Sequence, residues 1–171
     1  MYDYENNENV IKFNYYVDGN NGTITLNMDS FFENINITKF RKWMKVMKRG
    51  DFGETNAILL ALDFQRYIPE KINELEKRFS VYRFHYSKYV TKRSELESIV
   101  KTGKYPVGTR VSKSELEAAK NQLSYIKENI KDIEKKAKAK SKKRQTLLKC
   151  KAETDKFLEE RKQQVCFLKG M

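Results

Sequence analysis

One histidine and two cysteines are the side chains of this 171-residue sequence best suited to nucleophilic or acid–base chemistry. His85 sits between Phe84 and Tyr86, one position off an apolar seam. No nucleophile or carboxylate stands nearby to make it a general base. Cys150 and Cys166 lie sixteen positions apart in a predicted helix, too far for a disulfide within one straight helix. Neither has the histidine and orienting group that a catalytic cysteine requires. The acids Asp51, Glu54 and Asp63 are too loosely spaced to suggest a metal centre. Lys101–Gly108 contains glycines and lysines without phosphate-loop spacing, and reads as a turn between helices. The expectation is a protein with no catalytic residue, no metal and no cofactor.

Two basic segments offer binding chemistry instead. Residues 39–49 contain Lys39, Arg41, Lys42, Lys45, Lys48 and Arg49 and no acid. On a helix, Phe40, Trp43, Met44 and Met47 fall within one arc, and the cations take the opposite arc with Lys39 at its edge. Such a face repels itself unless anions meet it, and each phosphate contact would release counterions. The second segment is Lys135–Arg144, with Lys135, Lys136, Lys138, Lys140, Lys142, Lys143 and Arg144 as seven cations in ten residues. It has no interleaved aromatic, so base stacking is not expected there. Lysines outnumber arginines 26 to 9, which favours contact with the phosphate backbone over bidentate reading of bases.

These segments need helices to present them. Ile11, Phe13, Tyr15 and Val17 alternate on one strand, and Ile24, Leu26 and Met28 on a returning one, with Asp18–Gly22 as the turn. Ser30-Phe-Phe-Glu33 fits a capping box, and Thr38 is the expected N-cap of the basic helix, closed by Gly50. A helix from about Glu54 to Tyr67 should bury Ala57, Ile58, Ala61, Leu62 and Phe64, with Pro69 opening a new helix. From Ile68 a heptad seam runs through Ile72, Leu75, Phe79, Tyr82, Tyr86, Tyr89, Arg93, Leu96 and Val100. After the Gly103–Gly108 turn and a capping box at Ser112, a second seam follows Leu116, Ala119, Leu123, Ile126, Ile130, Ile133 and Ala137. Two such helices should fold back antiparallel. The basic run is either a polar turn or continuous helix. The seam keeps phase across it to Leu147, Leu158, Val165 and Leu168, which favours continuity, up to Lys169.

The fold class expected is therefore α+β, mostly α: an N-terminal β-hairpin packed on helices, then a long antiparallel, coiled-coil-like helical hairpin. The division expected is 1–67 for the hairpin with the basic and core helices, and 68–171 for the helical hairpin with its basic C-terminal part. Of the net charge of +12, residues 1–38 contribute −5, 39–49 +6, 50–100 zero and 101–171 +11. Partners expected from this balance are nucleic acid or a nucleoprotein, or an acidic protein groove. An acidic N-terminus without a signal-peptide layout, no apolar run of membrane-spanning length and only two cysteines point to a cytoplasmic protein with reduced thiols that engages no membrane.

A Lys-, Asn- and Ile-rich chain with the turn-rich hairpin at Asp18–Gly22 and Lys-rich helices resembles accessory proteins of phages and other mobile elements. Among these it is similar to small inhibitors of the anti-CRISPR kind. The resemblance implies a non-enzymatic protein that blocks an RNA-guided nuclease by occupying its protein or nucleic-acid surfaces, and it carries over no site residue. The alternative reading is a structural coiled coil that docks a partner or a second copy through residues 147–168.

Overall fold

A computed structural model describes residues 1–170. The fold is α+β and mostly helical: β1 (Tyr2–Tyr4), β2 (Val10–Val17), β3 (Asn20–Asn27), α1 (Met28–Glu33), α2 (Ile37–Arg49), α3 (Glu54–Thr102), α4 (Lys113–Glu160) and α5 (Lys162–Lys169). The chain forms two compact units. One comprises Met1–Asn73 together with the residues from Lys143 onward, and the other comprises Glu74–Lys142.

In the first unit β1, β2 and β3 form an antiparallel sheet in that order. The hairpin pairs Ile11 with Leu26 and Phe13 with Ile24. Its turn is tighter than the Asp18–Gly22 composition suggests. Only Asp18 and Gly19 lie outside the strands, with φ of 52° and 79°, as a two-residue turn matched to strand twist demands. The third strand, β1, is not apparent from residue periodicity. Tyr2 pairs opposite Phe13, their rings stacked at 5.4 Å. Behind the sheet, Phe32, Phe40, Phe64 and Tyr67 pack as one aromatic group with centroid spacings of 5.1–6.1 Å. Ile11, Phe13, Met28, Met44, Met47, Leu60, Ile68, Leu147, Cys150 and Phe157 complete a buried core.

Asparagines cap the first helices, where Ser30 and Thr38 were expected to. Asn27 Oδ1 accepts from the Ser30 N–H and Asn36 Oδ1 from the Lys39 N–H, at 3.2 and 2.8 Å. Asn, with its short acceptor, caps at least as well as Ser or Thr. Gly50 ends α2 in the left-handed conformation, its N–H bonded back to Met47. Pro69 does not start a new helix: it lies inside α3, exposed, and the ladder resumes beyond it. One missing N–H is tolerated because flanking Tyr67, Ile68 and Ile72 are anchored in the core.

In the second unit, α3 and α4 run antiparallel. Leu96 packs with Ala119, Leu123, Ile126 and Ile130, flanked by Tyr89, Val90, Ile99 and Val100. Cross-helix pairs fix the register: Glu97 with Lys127 at 3.8 Å, and Tyr86 Oη with Glu134 at 3.3 Å. The connecting loop satisfies its own backbone. Tyr105 N–H donates to Thr109, Gly108 N–H to Tyr105 and Val111 N–H to Gly103. Ser112 Oγ caps α4 by accepting from the Glu115 N–H. Continuity through 135–144 is observed, and α4 is unbroken from Lys113 to Glu160. The expected extension to Lys169 is interrupted at Arg161, whose φ and ψ of −119° and 31° separate α4 from α5.

Candidate functional site

The helix α2 is anchored by one face. Phe40, Met44 and Met47 are fully buried and Trp43 and Val46 half-buried. Trp43 meets Phe31 edge-on at 5.5 Å and Phe52 at 5.8 Å, so it holds the helix down and offers no free stacking face. The opposite face places Lys39, Arg41, Lys42, Lys45, Lys48 and Arg49 in solvent. Two of these are neutralised: Arg41 Nε pairs with Glu153 at 3.2 Å and Arg49 with Asp51 at 2.9 Å. Among the described residues, Lys39, Lys42, Lys45 and Lys48 have no ion-pair partner. They recur every third residue and so spread across the solvent-facing half of the helix, with Lys39 at its edge. That is a ridge of four positive charges backed by a rigid core.

The second predicted segment is divided between the two units, with Lys135, Lys136, Lys138, Lys140 and Lys142 in one and Lys143 and Arg144 in the other. Helical continuity places these cations around α4. Lys136 pairs with Asp132 at 3.0 Å, and the side-chain hydrogen bond to Asp132 raises its pKa. Lys140, Lys143 and Arg144 are half-buried, whereas Lys135, Lys138 and Lys142 are exposed. Within the unit Glu74–Lys142 the sequence has 18 cations and 9 acids, so this unit holds +9 of the net +12.

That unit also contains a groove that periodicity did not single out. A concavity of about 620 Å³ opens between α3 and α4, lined by Phe84, His85, Lys88, Tyr89, Lys92, Glu95, Gln122 and Tyr125, among others. Phe84 and Tyr125 are 61% and 64% exposed, far more than an aromatic in a helical pair needs to be. Lys88 Nζ lies 5.5 Å from the Phe84 ring centroid, and His85 meets that ring edge-on at 5.6 Å. Glu95 is the one acid in the lining and is paired with Lys92 at 3.6 Å. Phe84 and Tyr125 lie off the seam, so the packing of the two helices leaves both rings largely exposed. A recognisable sequence signal was the run Phe84, Lys88, Lys92, each one helical turn from the next.

The candidate reactive groups are divided between the two units, with His85 in one and Cys150, Cys166, Asp51, Glu54 and Asp63 in the other. His85 is exposed in the groove, with aromatic and lysine neighbours. Cys150 is fully buried, and burial pushes its thiol up to about 12; Cys166 is exposed on α5, and both are free. Asp51 pairs with Arg49, Glu54 accepts from Gln164 at 3.3 Å, and Asp63 is enclosed by Tyr2 and Tyr4. Among the described residues no group of three or more His, Cys, Asp or Glu side chains could hold a metal ion, and no helix is long and apolar enough to cross a membrane. Of the seam proposed to pair with another chain, Leu147, Thr154 and Leu158 are buried within their own unit, whereas Val165 and Leu168 on α5 are half-buried. Comparison with protein-family models, curated proteins and solved structures returns no match.

Proposed function

We propose that the protein acts by binding rather than by catalysis, and that it engages nucleic acid or a nucleoprotein through its basic helical surfaces. The observation that carries this reading is the α2 ridge. Lys39, Lys42, Lys45 and Lys48 stand exposed and unpaired on a helix whose other face is locked into an aromatic core. Keeping four like charges together without acids costs folding free energy, and an anionic partner relieves that cost. Lysine ammonium groups meet phosphates as point charges, so the recognition expected is of backbone rather than of sequence. The basic α4 segment, Lys135–Arg144, extends the same chemistry. In this reading the protein belongs with phage or mobile-element accessory proteins that inhibit an RNA-guided nuclease by steric and electrostatic occupation.

Charge reversal tests the reading. Lys42→Glu, Lys45→Glu and Lys48→Glu together should weaken binding to a labelled duplex and reduce the slope of log affinity against log salt by about 2.7. Binding that is insensitive to salt and survives all three changes would overturn it.

A further inference from the structure

We propose that the groove between α3 and α4 in the Glu74–Lys142 unit binds unpaired nucleotides, with bases stacking on Phe84 and Tyr125 and phosphates meeting Lys88 and Lys92. This rests on the reading of the protein as a nucleic-acid binder, but it uses residues distinct from the α2 ridge and names the form of nucleic acid.

Three observations converge on it. The two rings are the most exposed aromatics of this unit, and each keeps more than half its surface in water. Leaving them so is unfavourable by the apolar area involved, which a stacked base would cover. The lining carries lysines beside the rings, and Lys88 already stands over Phe84. A flat aromatic beside a mobile cation is the combination that holds an unpaired nucleotide, the ring taking the base and the ammonium the phosphate. Finally, the unit's charge of +9 supplies the long-range attraction that a polyanion needs. A duplex hides its base faces in the stack, so these rings have nothing to offer it. An apolar peptide would fill the groove equally well by shape, but it would gain nothing from the surrounding positive charge.

The lining fits this occupant in its chemistry. Lys88 and Lys92 are one turn apart, about 6 Å along α3. Glu95 pairs with Lys92, so an incoming phosphate competes for that lysine and Lys88 is the stronger contact. Gln122 and Tyr125 line the α4 side. No sequence selectivity is expected, because every base presents a π face.

The test uses the full chain and fluorescence anisotropy with three probes: a labelled oligothymidylate, the matching oligouridylate and a duplex. Phe84→Ala with Tyr125→Ala should lower affinity for single strands at least tenfold while leaving the duplex unchanged. Circular dichroism should show unchanged helicity, since both rings are largely exposed and Ala favours helix. Phe84→Trp should retain single-strand binding, and Phe84→Leu should weaken it severalfold, because Leu keeps apolar area but not the π face. Lys88→Gln with Lys92→Gln should reduce the single-strand salt slope by about 1.4. Comparing thymidylate with uridylate tells whether the occupant is DNA or RNA. Wild-type affinity in Phe84→Leu, or in the double alanine variant, overturns the groove proposal. If affinity then falls only with Lys42, Lys45 and Lys48 reversed, the broader function stands without it. A wild-type protein that binds none of the three probes overturns both.

Discussion

Removing the Asp63 carboxylate should unfasten the N-terminal strand from the first unit. Asp63 lies on α3 and is 5% exposed. It accepts from Tyr2 Oη through Oδ2 and from Tyr4 Oη through Oδ1 at 2.8 Å, with Arg66 Nε 3.8 Å away. Hydrogen bonds to a charged acceptor contribute about 1.5–3 kcal/mol each when their partners are buried. Tyr2 is half-buried and would be left without an acceptor, whereas Tyr4 is 47% exposed and can turn to water. Counting Tyr2 in full and Tyr4 in small part, Asp63→Ala should destabilise the unit by about 3 kcal/mol. Helix propensity favours Ala over Asp by a few tenths of a kcal/mol and cannot cause the loss. The sole tryptophan, Trp43, is wedged between Phe31 and Phe52 in this same unit, so its fluorescence in urea reports the unfolding directly. Asp63→Asn keeps one neutral acceptor and should lose about half as much. In a double-mutant cycle, Tyr2→Phe should cost little once Asp63 is Ala, with a coupling of about 1–2 kcal/mol. A loss below about 1 kcal/mol for Asp63→Ala, or strict additivity with Tyr2→Phe, would refute the assignment of Asp63 as the strand's anchor.

Further outcomes follow from burial and backbone chemistry. A thiol reagent should modify Cys166 alone in the native protein and reach Cys150 only on unfolding, because burial excludes the reagent and disfavours the Cys150 thiolate; two fast-reacting thiols would contradict the core placement. Pro69→Ala should raise the thermal midpoint of the first unit by restoring an N–H donor within α3, a gain of up to about 3 kcal/mol. A lower midpoint would mean that packing requires the proline geometry. Burial, followed by the Asp63 hydrogen bond, pushes the Tyr4 hydroxyl up to about 12 and the Tyr2 hydroxyl higher. Unfolded tyrosines release these protons near pH 10, so above that pH the unfolded state binds fewer protons and stability falls. The stability advantage of wild type over Tyr2→Phe with Tyr4→Phe should thus be full below about pH 10 and shrink as pH rises toward 12. An advantage constant across that window would refute it.

The local rules carried much of the architecture. Strand alternation at Ile11–Val17 and Ile24–Leu26 placed the hairpin, because a two-residue period has one reading when turn residues stand between the runs. The amphipathic arc of Phe40, Met44 and Met47 fixed both the existence of α2 and which side its cations would face. Seam phase across Lys135–Arg144 favoured a continuous α4 over a turn, since a loop has no reason to preserve helical register, and α4 is continuous there. The sequence by itself thereby determined the hairpin, α2 with its buried face and exposed Lys39–Arg49 cations, and the continuity of α4 through its basic run. What tertiary structure decided was which partners meet across sequence distance. Strand β1 has three residues and too little periodicity to stand out, and it forms because Tyr2 and Tyr4 find Asp63 about sixty positions away. Arg41 looks equivalent to Lys42 and Lys45 in one dimension, yet Glu153, 112 positions away, neutralises the arginine and not the lysines. Phe84 and Tyr125 are ordinary off-seam residues until α3 and α4 lie antiparallel and align them on one groove. Helix period and turn chemistry act within a few residues, so they are written locally. Pairing of charges and convergence of rings depend on the path of the whole chain, and only the folded molecule fixes that path.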